Sequence, residues 1–213
     1  MNDESVLRIS KPFGPSLGVA NMPKSLILKI NNFIDQEVAH NEKKIAELNA
    51  GNDLVGQVTQ EINLPPEMIE GELYNFLFQA VKTYIKLSIN KKITNFEIIN
   101  TWVVRQFENE YNPIHFHSGH ISGAGYLMVP DDFGKTIQKE KHNTHGFINF
   151  IHGSKQFLSN GYVSQQPRVG DFYFFPHYLY HSVNPFYGKG ERRSISFNAR
   201  IDEAIYKVYG VDS

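Results

Sequence analysis

The chain has 213 residues, 41% hydrophobic and 20% charged, a globular balance that excludes wholesale disorder and fits one domain. Its 21 basic and 22 acidic side chains sum to −1, so no nucleic-acid partner is expected, because phosphate binding favours a basic excess. Cysteine is absent, which excludes disulfides, thiolate nucleophiles and cysteine-held zinc or iron–sulfur centres; any metal must rely on His, Asp and Glu.

The first ten residues are polar and acidic, without the apolar core of a secretory signal, and no run of 18 apolar residues follows. No membrane association is expected, and residence in the cytoplasm (a host's, if the chain is viral) is the default. Leu26, Ile30, Phe33, Ile34, Val38, Ile45 and Leu48 recur near helical spacing and predict a helix over 23–50, stopped by Asn49-Ala50-Gly51-Asn52. A second helix is expected from Pro65-Pro66 to about Asn90, with Ile69, Leu73, Phe76, Leu77, Ala80, Val81, Tyr84 and Leu87 as its buried stripe. From Phe96 the texture changes to short Val/Ile/Phe/Tyr runs separated by turn residues, predicting strands at 96–107, 121–129, 146–151, 171–175, 179–183 and 192–201. Strands of that length need two packed sheets or a closed barrel. The expected class is α+β: a single domain over 1–213, with a helical support region at 1–95 and a β-rich core at 96–201. The polar stretch 130–145 is too long for a hairpin and reads equally as a lid or as a surface excursion.

Eight of the nine histidines lie between residues 115 and 181, inside the β-rich half. His115-Phe116-His117 places two imidazoles on one strand face, as two ligands of one metal would be, although an exposed strand carries the same pattern. His181, between Leu179 and Val183, reads either as a core histidine or as a ligand, and His177 as a rim residue. Along 192–201, Arg192, Ser194, Ser196 and Asn198 share one face, while Arg193, Ile195, Phe197, Ala199 and Ile201 share the other. If the apolar face packs on the helices, Arg192 points inward. A buried guanidinium needs a partner, either an internal Asp or Glu or the carboxylate of a bound small molecule.

In order, these features are His-x-His, a histidine 64 residues on, and an arginine 11 residues beyond that. At this point the chain resembles the 2-oxoglutarate- and Fe(II)-dependent oxygenases. It is most similar to an uncharacterised, prolyl-hydroxylase-like branch found in marine bacteria and phages. The likeness rests on His115-Phe-His117, Ser122-Gly123-Ala-Gly-Tyr126, the run from Pro167 through Gly170-Asp171, Pro176 and His181 to Pro185, and Gly190-Glu-Arg192-Arg-Ser194-Ile-Ser-Phe-Asn198. It covers about residues 96–200. It implies a double-stranded β-helix (jelly-roll, cupin-like) core, with Fe(II), 2-oxoglutarate and O2 as cofactor and co-substrates. The implied activity is a dioxygenase that decarboxylates 2-oxoglutarate to succinate while hydroxylating a peptide, for instance at proline, or a small molecule. Carried over residue by residue, His115 and His181 are iron ligands and Arg192 is the 2-oxoglutarate clamp, with Ser194 and Tyr126 as helpers.

One position departs from most of the superfamily, which has Asp or Glu where this chain has His117. Either His117 is the third ligand, as its spacing from His115 favours, or a carboxylate from Glu108, Asp131, Asp132 or Asp171 replaces it. A non-catalytic metal- or ligand-binding barrel and a structural domain that kept the fold without activity are the competing readings. A free sheet edge would also let two copies pair as a homodimer.

Overall fold

A computed structural model describes residues 7–10, 14–51, 54–137 and 142–209. Eleven strands run β1 (Arg8–Ser10), β2 (Leu17–Asn21), β3 (Gln60–Asn63), β4 (Phe96–Gln106), β5 (Asn112–His115), β6 (Ile121–Met128), β7 (Ile148–Ile151), β8 (Tyr162–Gln165), β9 (Asp171–Pro176), β10 (Tyr180–Val183) and β11 (Arg192–Ile201). The α-helices are α1 (Lys24–Phe33), α2 (Glu42–Glu47), α3 (Pro66–Ile69), α4 (Glu72–Ile89) and α5 (Glu203–Tyr209). No helix among the described residues is long and apolar enough to cross a membrane.

The strands form two antiparallel sheets, a seven-stranded one in the order β1-β2-β9-β6-β11-β4-β3 and a four-stranded one in the order β5-β10-β7-β8. This is the double-stranded β-helix of the α+β class, and side-chain alternation explains it. On β9, Phe172 and Phe174 point to the helices, where they meet Leu26, Ile30, Phe76 and Leu77. Tyr173 and Phe175 point the other way and pack with Tyr126, Phe150 and Val183 between the sheets. Each phenylalanine so buried contributes about 2–3 kcal/mol. Gly123 on β6 leaves room for this: a Cβ there would lie 2.6 Å from both the Phe197 ring and the Tyr173 carbonyl oxygen.

The expected helix over 23–50 is broken. After α1 the chain widens into a π-helical turn over Ile34–Val38, and Asn41 then caps α2 by accepting from the Lys44 N–H at 3.1 Å. The apolar period continues across the break because Val38, Ile45 and Leu48 still face the same core. The expected helix over 65–90 is split likewise into α3 and α4, around Gly71 with φ 82°. The region 1–95 is not only helical, since β1, β2 and β3 extend both edges of the larger sheet. These strands are only three to five residues long, so their apolar pattern is too brief to read.

Candidate active site

Three strands position the imidazoles. β5 ends at His115, which lies directly across from His181 on β10, with ring centroids 4.2 Å apart. His117 follows two residues later and is clasped through its backbone. Its N–H donates to the His177 carbonyl at 2.9 Å, and the His177 Nδ1–H donates back to the His117 carbonyl at 3.0 Å. The ligand-type nitrogens of His115, His117 and His181 lie within 4.8 Å of one another. His117 Nε2 and His181 Nε2 are 3.1 Å apart.

Backbone carbonyls set the tautomers. His115 Nδ1–H donates to the Pro113 carbonyl at 2.7 Å and His181 Nδ1–H to that of Leu179 at 2.9 Å. Each bond leaves a bare Nε2 lone pair to face inward, the arrangement that orients metal-binding imidazoles. All three rings are held below the usual histidine range, first by burial; for His117 (to about 3) and His181, neighbouring imidazoles add to it. They are therefore neutral at physiological pH, the state that binds a cation. Nitrogens at right angles on a divalent cation, each about 2.1 Å from it, are about 3 Å apart, which the His117–His181 pair already matches.

The same cavity holds Arg192, the first residue of β11, which is 2% exposed. Its Nη1 donates to Gln106 Oε1 at 3.1 Å. The Gln106 Nε2 donates to the Glu110 and Asn184 carbonyls, which fixes that amide's orientation. The guanidinium carbon sits 4.8 Å from the Tyr126 ring centroid, and Ser194 lies across from Tyr126 in the sheet. Arg192 forms no ion pair among the described residues, and neither its Nε nor the buried Tyr126 hydroxyl has a well-formed hydrogen bond. Arg193, on the opposite face, is fully satisfied by Glu191, Asp35 and Asn31. The internal-carboxylate alternative thus holds for Arg193 and not for Arg192.

The alternative carboxylates stay apart from the imidazoles. Glu108, Asp131 and Asp132 are exposed, and Asp171 sits in the field of Arg168 and Arg8. Among the described residues the three histidines are the one such cluster, and no Asp or Glu joins it. His120 turns away to stack on Tyr206 at 3.8 Å, while His145 donates to the Phe133 carbonyl. The lid reading of 130–145 falls partly on residues 138–141, which lie outside the described residues.

Three cavity residues, and Gln106 behind Arg192, escaped the sequence reading. Trp102 and Asn112 of the cavity, and Gln106, looked like ordinary strand or loop residues, and Glu61 sits on the unread strand β3. Only an alternation over Gln60–Asn63, with Ile62 turned to the helices, hints that Glu61 faces inward.

Residues 100–198 match the family described as "Putative 2OG-Fe(II) oxygenase". The match spans just under half of the chain. The matched segment contains all three imidazoles, Tyr126, Arg192 and Ser194. Three solved structures share the fold. A Pseudomonas putida prolyl-4-hydroxylase aligns at TM-score 0.56 and 13% identity, over 85% of this chain and 91% of its own. The viral collagen prolyl hydroxylase of Paramecium Bursaria Chlorella virus-1, solved with 2-oxoglutarate, aligns at 0.52 and 12%, over 92% and 97%. A Trichoplax adhaerens prolyl hydroxylase, solved with a hypoxia inducible factor peptide fragment, aligns at 0.53 and 15%, over 90% and 86%. No curated protein matches the chain in sequence.

Fe(II) and 2-oxoglutarate are the metal and co-substrate of this oxygenase family, and O2 is its oxidant. The donor set fits both groups. Three neutral imidazoles suit a divalent cation. A buried guanidinium with an unpartnered Nε, beside an unpartnered phenol, suits a carboxylate.

Proposed function

We propose that the chain is an Fe(II)- and 2-oxoglutarate-dependent hydroxylase in which His115, His117 and His181 hold the metal and Arg192 binds the distal carboxylate of 2-oxoglutarate. The observation that carries this is Arg192: a guanidinium 2% exposed, with no carboxylate partner among the described residues, in one cavity with the imidazole trio. An unpaired buried charge costs several kcal/mol, and a dicarboxylate ligand removes that cost. Tyr126, under the guanidinium, and Ser194, across from Tyr126, are the helpers at that carboxylate.

When bound, Fe(II) supplies the oxidative decarboxylation of 2-oxoglutarate to succinate that is coupled to hydroxylation. The protein's own contribution is placement and exclusion. The carbonyls of Pro113 and Leu179 hold two rings in the ligating tautomer, and the His177 clasp fixes the backbone that carries the third. Gln106 and Tyr126 hold the Arg192 fork in place, and Trp102 and Phe175 keep water from the cavity walls. The substrate is a peptide or a small molecule; a prolyl peptide follows from likeness of fold, which is analogy and not a property of this site.

The test is succinate formation with calorimetric titration of 2-oxoglutarate. Wild type binds and turns over the co-substrate, whereas Arg192→Ala, still folded, loses about 100-fold or more in affinity. Undiminished affinity in Arg192→Ala defeats the assignment.

A further inference from the structure

The cavity holds polar groups that neither the imidazoles nor Arg192 use. Glu61 on β3 lies on the inward face of the larger sheet, level with Val104 and Ser194 on the neighbouring strands, and is 5% exposed. Asn112 opens β5 in the opposite sheet, and its Oδ1 is buried without a hydrogen-bond partner. Both line the cavity of the histidines and Arg192. They meet over Gly56, where a Cβ would lie 2.5 Å from Asn112 Oδ1 and 2.5 Å from Glu61 Oε1. Any side chain at 56 would fill the space these two oxygens face.

Glu61 makes no hydrogen bond or ion pair among the described residues, and burial alone pushes its carboxyl up to about 7. Glu61 offers acceptor oxygens and Asn112 an acceptor oxygen beside its own amide donor, and among the described residues no donor bonds either Glu61 or the Asn112 Oδ1. Buried acceptors left in this state are costly, and a core built only for stability would supply a Lys or Arg partner or replace them. Arg192 does not serve, since it bonds Gln106 and forms no ion pair with Glu61.

We propose that Glu61 and Asn112 are the substrate-recognition pair of this cavity, and that the substrate carries a protonated amine. The inference rests on the oxygenase reading given above. An ammonium brings three donors and a positive charge, so it satisfies both oxygens together and holds Glu61 ionised. The opposite charges also sort two ligands within one cavity. Arg192 draws the dianionic co-substrate, while Glu61 repels it and draws the cation, which keeps either from occupying the other's place.

Trp102 supplies the readout, being the single tryptophan of the chain, 4% exposed and part of the cavity wall. Zn(II)-loaded protein with 2-oxoglutarate is titrated with n-butylamine and with n-butanol, following Trp102 fluorescence, while calorimetry on the same samples measures 2-oxoglutarate binding. Wild type is expected to bind the amine about tenfold more tightly than the alcohol. Glu61→Gln is expected to erase that preference, and Asn112→Ala to cut it about threefold. Equal affinity for the two probes, in protein that binds 2-oxoglutarate, overturns the amine inference alone, as does a preference unchanged in both variants. Absence of 2-oxoglutarate binding with the amine preference intact instead overturns the oxygenase reading.

Discussion

Arg192 and Arg193 follow one another on β11 and point to opposite faces of the sheet. Arg193 is 1% exposed and donates to Glu191, Asp35 and Asn31, so it ties α1 to the sheet. Removing it strands the largely buried Glu191, which Arg105 then neutralises alone. Arg193→Ala should therefore destabilise the fold by about 3 kcal/mol in urea unfolding. Arg192→Ala removes a charge that has no protein counter-charge, so the same measurement should show no loss of stability, or a gain, while 2-oxoglutarate binding disappears. A large stability loss from Arg192→Ala would mean that its role is structural.

Glu61 gives a pH signature of the same kind. Its folded-state pKa is raised from 4.5 to about 7, so the folded protein binds the extra proton. That contribution to stability is complete below about pH 4.5 and is lost as pH rises through 7. The titratable groups sharing its cavity are Arg192 and the three neutral imidazoles, none of them in an ion pair with it. Glu61→Gln should thus match wild type near pH 4.5 and exceed it at pH 8 by up to about 3 kcal/mol. Thermal melts across that range check it, and parallel curves for the two proteins would show that the carboxyl is not buried in solution. The opposite faces of Arg192 and Arg193 were legible because strand alternation sorts inward from outward residues. Glu61 was not, because four residues of β3 carry too few apolar positions to fix a face.

Among the elements, β6, β9 and β11 decide the architecture. They lie side by side in the larger sheet, and their aromatic and aliphatic residues separate the helix-facing core from the inter-sheet core. Their apolar runs made them readable from sequence, with ends within a residue or so of those observed. The edge strands β1, β3, β5 and β8, and β2 beside β1, were not readable, because they are short. β6 is also closely packed. Gly123→Ala would force a methyl against the Phe197 ring and the Tyr173 carbonyl, and a backbone carbonyl in a paired strand cannot swing aside. The expected cost is about 1–3 kcal/mol, measured by urea unfolding. Unchanged stability would show that β6 and β9 separate more easily than their packing implies.

For the molecule as a whole, binding and stability are linked, because the site draws on both sheets. His115 and His181 belong to the smaller sheet and Arg192 to the larger. A metal held by the first pair and a dicarboxylate held by Arg192 would fasten the sheets together, and ligands that bind only the folded state raise its melting temperature. Zn(II) should raise the melting temperature of wild type and not of His181→Ala. Added 2-oxoglutarate should raise it further in wild type and not in Arg192→Ala. A 2-oxoglutarate effect that survives loss of Arg192 would place the co-substrate elsewhere.

Metal and keto-acid meeting in one site is best examined by anaerobic titration of Fe(II) and 2-oxoglutarate into metal-free protein, watching for a visible metal-to-ligand charge-transfer band. The band should appear in wild type only when both are present, and fail in His181→Ala. Iron bound by folded wild type without any band at saturating 2-oxoglutarate would make the three histidines a metal-binding site and nothing more.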